Sequence, residues 1–304
     1  MKINWSGVYP AVTTKFTENE ELDMPAFFKN LDAQLEAGVN GFILGGTLGE
    51  AGVLNENEKY RLLEETVKYV DGKVPVLLNI AESTTKNAIA CAKRATELGA
   101  SGLMLLPPLR YYADKNETLT YFESVAKSTP LPIMIYNNPV DYKIEVTLEM
   151  FAYLERYENI QAVKESTRDT TNITRMINRF GDRFKILTGV DTIALESMIL
   201  GAHGWVAGLV DAFPKESVAL FRLAKENRIQ EALEIYRWFM PVLELDIHPK
   251  LVQYIKLAEV ATGIGTEKTR APRLPLEGEE RARVLNILET ALKNRPTLPT
   301  GSWG

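Results

Sequence analysis

Eight short apolar runs alternate with eight helix-length amphipathic stretches between residues 8 and 226, and this alternation restricts the possible folds more than any other feature. The runs are 8–13, 41–44, 74–80, 102–106, 132–136, 160–164, 184–187 and 204–207. Each is mostly β-branched or apolar and is bounded by Gly, Pro, Asn or charged residues, as strands buried on both faces of a parallel sheet read. The intervening stretches, 24–37, 56–69, 85–98, 116–128, 148–157, 169–180, 192–200 and 214–226, carry helical periodicity. Gly38, Gly99, Gly181 and Gly201 stand where four of them should stop. Eight β–α units in sequence predict an α/β chain closed into a TIM (β/α)8 barrel, with a doubly wound open sheet as the alternative.

Beyond residue 226 no strand pattern recurs. Helical patterns at 229–243, 250–261 and 278–292, broken by Pro272 and Pro275, predict a C-terminal helical appendage over 227–304 packed on a barrel of residues 1–226. The tail 295–304, rich in Pro, Thr and Gly, reads as loose. A net charge of -5 with interspersed signs argues against a nucleic-acid partner. The single cysteine, Cys91, permits no intrachain disulfide and fits a reducing compartment. No apolar h-region follows Met1, and no apolar run approaches the roughly 20 residues of a membrane span, so a cytoplasmic protein with no membrane partner is expected.

Barrel enzymes build their sites at the C-terminal ends of the strands. Those ends deliver Thr13 and Thr14, the turn Gly45-Gly46-Thr47-Leu48-Gly49-Glu50, Asn79 and Glu82, then Pro107, Pro108 and Arg110. They continue with Tyr136-Asn137-Asn138-Pro139, Lys164-Glu165-Ser166-Thr167, Gly189 and Asp191, and Gly208. Lys164 closes an apolar run, so its stem should be buried with the amine at the barrel mouth. Desolvation there disfavours the ammonium and leaves a nucleophilic amine. A lysine in that position is equally compatible with a strand cap reaching water. Tyr136 ends the neighbouring strand and is placed either to move protons beside Lys164 or to fill the rim. The 45–50 turn, read as opening the second helix, offers backbone amides and the Thr47 hydroxyl to a carboxylate. Of the two histidines, His203 precedes strand eight at the wrong end of the barrel and His248 falls in the appendage. No cluster of metal ligands stands at the strand ends, so no metal is expected. Neither a dinucleotide fingerprint nor a phosphate loop is present.

Together, Gly46-Thr47-Leu48-Gly49-Glu50, Tyr136-Asn137-Asn138-Pro139 and Val163-Lys164-Glu165 resemble the motifs of the dihydrodipicolinate synthase/N-acetylneuraminate lyase family of Schiff-base aldolases, in order and at matching barrel positions. The likeness spans nearly the whole chain. It implies that Lys164 forms the Schiff base, that Tyr136 relays protons, and that Thr47 with the following amide holds the carboxylate of a 2-oxo acid. No cofactor beyond the covalent adduct is implied, and a homotetramer, or a dimer, is. The candidate substrate-binding residues are Gly46, Thr47, Leu48, Asn138, Asp141, Arg110, Gly189 and Gly208. Three departures narrow the substrate. Asp141 stands where the synthases carry an arginine for a second carboxylate, and Leu48 replaces a hydroxyl residue. Arg110, beside Tyr111 and Tyr112, occupies the place of a relay tyrosine.

The stretches 136–140, 164–169 and 270–276 are similar to a subgroup acting in hydroxyproline breakdown, the 1-pyrroline-4-hydroxy-2-carboxylate deaminases. The expected partner is thus a small 2-oxo acid or its cyclic imine. Competing readings are a sugar-acid aldolase or dehydratase, a synthase-like enzyme of the same family, and a non-catalytic barrel that senses a small acid.

Overall fold

The computed structural model describes residues 3–299. Its strands are β1 (Gly7–Pro10), β2 (Phe42–Leu44), β3 (Val76–Ile80), β4 (Gly102–Leu105), β5 (Ile133–Asn137), β6 (Ile160–Glu165), β7 (Lys185–Thr188) and β8 (Gly204–Ala207). They pair in parallel in the order β1-β8-β7-β6-β5-β4-β3-β2. The remaining seam, between β1 and β2, is closed by a parallel bridge from Ala11 to Ile43 and by the Val12 amide donating to the Ile43 carbonyl at 3.0 Å. The expected TIM barrel is therefore the fold. Strand residues are buried almost throughout, which explains why they read as apolar runs without alternation.

Eight helices belong to the barrel's units: α1 (Met24–Ala37), α2 (Glu56–Val70), α3 (Thr85–Glu97), α4 (Lys115–Ser128), α5 (Pro139–Tyr142), α6 (Leu148–Leu154), α7 (Thr171–Phe180) and α8 (Ala194–Ile199). The outer layer is completed by α9 (Pro214–Lys225), and α10 (Ile229–Leu243), α11 (Leu251–Thr262) and α12 (Gly278–Lys293) follow. Local chemistry sets several boundaries. Asn55 and Glu58 form a reciprocal capping box at the start of α2, and Asp114 and Glu117 do so at α4.

Two details depart from the sequence reading. The single turn α5, capped by Asn138, was not foreseen. The tail is also not loose throughout. Arg295 pairs with buried Glu216 and Leu298 packs against the core; positions 300–304 lie outside the described residues.

The C-terminal helices are bolted to the barrel by ion pairs with no solvent access. Lys15 meets Glu259 of α11 at 2.8 Å, with both side chains fully buried. One turn earlier on the same helix, Lys256 meets Glu50 at 2.5 Å under the same conditions. Thr13 donates to Glu259 at 2.5 Å, and the Arg270 amide donates to Glu50 at 3.3 Å. Burial lowers the Lys256 ammonium to about 8, against the pull of Glu50. With α11 fixed in this way, the short helical segment Glu244–Ile247 between α10 and α11 lies over the barrel mouth.

Leaving one member of such a pair without its partner is expensive in a medium that cannot solvate it. Glu259→Leu is expected to lower unfolding free energy by roughly 3–5 kcal/mol in urea titrations, and Lys15→Met in the same chain should recover much of that loss. A single variant within about 1 kcal/mol of the parent, which is the range of an exposed pair, would refute the clamp.

Candidate active site

At the C-terminal ends of the strands lies a cavity of about 420 Å³. Lys164, Tyr136, Thr47, Gly46, Leu48, Asn138, Asp141, Gly189 and Gly208 all line it. Of the candidate residues only Arg110 does not. It sits exposed on the loop after β4, next to exposed Tyr111 and Tyr112.

Lys164 and Tyr136 are directly opposed in the β5–β6 register, so both side chains leave the sheet on its inner face. The Lys164 amine stands over the Tyr136 ring, 4.2 Å from its centroid. Lys164 is 7% exposed and has no hydrogen-bonded carboxylate partner among the described residues. Burial pushes its pKa below the ordinary lysine value, against the opposing fields of Tyr142, Asp246, Asp191 and Asp141. Glu165, one residue on, points outward to Asn137 and Asn172. Space for the lysine stem comes from Gly189. A Cβ there would fall 2.6 Å from both Lys164 Cε and Cγ, and 2.2 Å from Ser166 Oγ.

Around the phenol, the Asn138 side-chain amide donates to the Tyr136 hydroxyl at 3.0 Å and to the Asp141 carboxylate at 2.7 Å. Burial raises the Tyr136 pKa, so the phenol stays protonated. The Tyr-Asn-x-Pro motif divides its work. Asn137 turns outward and ties down the following loop by exchanging hydrogen bonds with the Val146 backbone at 2.9 and 3.2 Å. Asn138 turns inward. The helical turn α5 then carries Tyr142, whose hydroxyl lies 2.7 Å from Thr47 Oγ1 and whose ring packs edge-on against Tyr136 at 5.5 Å. Burial pushes Tyr142 up to about 12. Tyr142 thus meets Thr47 through its hydroxyl and Tyr136 through its ring.

The 45–50 turn does not open a helix, contrary to the sequence reading. It passes into a 3-10 turn at Ala51–Val53, and α2 begins only at Glu56. Carboxylate binding there rests on the turn's own amides. Neither the Thr47 nor the Leu48 N–H donates to another of the described residues. The turn is held from outside by Asn79, donating to the Gly45 carbonyl at 2.9 Å, and by Thr14, donating to the Gly49 carbonyl at 2.7 Å.

Several lining residues escaped the sequence reading: Tyr142, Arg168, Asp246 and His248. Arg168 adopts a left-handed backbone conformation, φ +64°, which costs a non-glycine residue about 1–2 kcal/mol. No other described residue pairs with its exposed side chain. Asp246 and His248 come from the segment that the buried ion pairs hold over the mouth. The only sequence hint was Asp246-Ile247-His248-Pro249 interrupting two helical patterns. Asp191, named among the strand ends, is fully buried behind the wall. It accepts hydrogen bonds from the Gly208 and Leu209 amides and from Trp205 Nε1, and burial raises its pKa despite them.

Comparison with known proteins agrees with this fold. The model of the Dihydrodipicolinate synthetase family matches residues 4–291. A 4-hydroxy-tetrahydrodipicolinate synthase of Methanococcus aeolicus is 32% identical over 289 residues, covering 94% of this chain and 98% of the relative. One from Exiguobacterium sibiricum is 31% identical over 289 residues, covering 94% and 97%. The crystal structure of a dihydrodipicolinate synthase from Bacillus anthracis superimposes with a TM-score of 0.91 at 27% identity, over 95% of this chain and 99% of that one. A barrel with a desolvated lysine ending β6, a tyrosine opposite it on β5 and a match over nearly its whole length belongs to the dihydrodipicolinate synthetase family of lyases.

Proposed function

We propose that this lyase condenses Lys164 with a small 2-oxo acid or its cyclic imine, and that its reaction is the deamination of 1-pyrroline-4-hydroxy-2-carboxylate. The neutral amine attacks C2, the ring nitrogen departs as a primary amine, and an iminium joins Lys164 to C2. The cationic iminium acidifies C3, and Tyr136, beside Lys164, gives its proton to the departing ring nitrogen and then, as phenolate, takes the C3 proton. Loss of the C4 hydroxyl follows. Tautomerisation to a C5 imine and hydrolysis then give a dioxo acid and ammonia.

The observation that carries this choice is the charge of the wall around Lys164. Once opened, the substrate has a carboxylate at one end and an ammonium at the other. The free Thr47 and Leu48 amides suit the carboxylate, and Asp141 suits the ammonium. A second carboxylate would meet Asp141 in the place of a cation, which costs affinity. A synthase-like condensation remains the second reading because relatives bear that name; in it Arg168 is the cation available for a second carboxylate.

Ammonia release from the cyclic imine should exceed condensation of pyruvate with a semialdehyde by at least about 100-fold in kcat/KM, and Lys164→Ala should lower it by about 10³-fold or more. Condensation faster than deamination would reverse the two readings. The neutral fraction of Lys164 grows as pH rises through its lowered pKa. The rate of forming a borohydride-trappable pyruvate adduct should therefore climb with pH and reach half its maximum below the free-lysine value of about 10.4. A midpoint at or above that value would rule out a desolvated nucleophile.

A further inference from the structure

The deaminase reading leaves one step without a donor. The C4 hydroxyl is a poor leaving group, and a proton must reach its oxygen as the C–O bond breaks. Tyr136 already serves the C3 proton. Of the other carboxyl, imidazole and phenol groups at the cavity, Asp141 is engaged by Asn138 through both its carboxylate and its backbone amide. His248 stacks on Tyr254 at 4.6 Å, and its Nδ1 accepts from the Lys250 amide. Tyr142 is bound to Thr47.

Asp246 remains. It lines the cavity, and its carboxyl has no side-chain partner among the described residues. Its carboxyl is pressed against the bare α-carbon of Gly208. A Cβ at that position would lie 2.5 Å from Asp246 Oδ1 and 3.1 Å from Leu48 Cδ1. Gly208 therefore leaves room for this carboxyl beside the turn that would hold the substrate carboxylate. The charged and titratable groups around it are Asp191 behind, Lys164 on β6, and Asp141 and Tyr136 on the β5 side. Burial and then Asp191 push its pKa well above the ordinary carboxylate range.

We propose that Asp246 is the general acid of the elimination, a catalytic residue contributed by the C-terminal segment rather than by the barrel strands. This assignment rests on the deaminase reading. In the step, the C4–O bond breaks and its electron pair takes the Asp246 proton, releasing water. The C2–C3 double bond of the enamine moves to C3–C4. The nitrogen lone pair of Lys164 becomes the second bond of the C2 iminium. Asp246 is left as a carboxylate beside the cationic adduct and is reprotonated from solvent after water departs.

The test separates steps before elimination from elimination itself. Pyruvate forms the same adduct and exchanges its methyl protons with deuterium oxide, but it has no C4 hydroxyl to lose. Asp246→Asn is expected to remain trappable by borohydride with pyruvate and to exchange within about threefold of the parent rate. Its kcat for ammonia release from the cyclic imine should fall roughly 10²- to 10⁴-fold, with part of the loss recovered in Asp246→Glu. Ammonia release by Asp246→Asn within about threefold of the parent would overturn the assignment. Equal losses in exchange and in ammonia release would also overturn it, placing Asp246 in the environment of Lys164 instead. A parent enzyme that exchanges pyruvate protons but releases no ammonia removes the deaminase reading, and this acid with it.

Discussion

The buried pairs Lys15–Glu259 and Lys256–Glu50 are the interaction on which the rest of this molecule depends. Charges taken fully out of water are tolerated only when each meets its counterion at close range, so these four side chains admit one relative placement of barrel and α11. That placement is the function of the clamp. It holds the stretch that precedes α11 over the barrel mouth. Asp246 and His248 thereby join a cavity whose other walls come from strand ends and loops.

Closing the mouth also sets the chemistry of Lys164. An amine whose stem and head are screened from water loses more as an ammonium than as a neutral base. The four acidic or phenolic groups around it pull the other way. Desolvation prevails, as the proposed Schiff-base role requires. Glycine is used here for space. Gly189 makes room for the lysine stem, and Gly208 makes room for the Asp246 carboxyl.

The substrate end of the site follows from where charge is placed. In this chain the residue two positions beyond the Tyr-Asn-x-Pro motif is Asp141, and Asn138 holds it beside the Tyr136 phenol. The wall facing Lys164 is acidic. The cation Arg168 stands instead on the loop after β6, in a backbone conformation that its side chain makes costly. The α5 turn places Tyr142 between Thr47 and Tyr136, whereas after β4 it is Leu106, and not Arg110, Tyr111 or Tyr112, that reaches the cavity.

The sequence alone determined the barrel, because each strand and helix announces itself within a dozen residues by burial pattern and boundary chemistry. It likewise placed Lys164, Tyr136 and the Thr47 turn at the barrel mouth, because the C-terminal ends of barrel strands and the loops after them form that mouth. The helix starting at Glu56 was legible, but the 45–50 turn was wrongly joined to it, because a glycine-rich turn reads the same whether it enters a helix or a 3-10 turn. Arg110 was misplaced because spacing cannot say which way a loop turns. Only the tertiary structure decided the acidic wall and the clamp. Thr13 and Glu259 are 246 positions apart, and Glu50 and Lys256 are 206 apart. Electrostatic pairing across such distances has no local periodicity, so it exists only once the chain has folded.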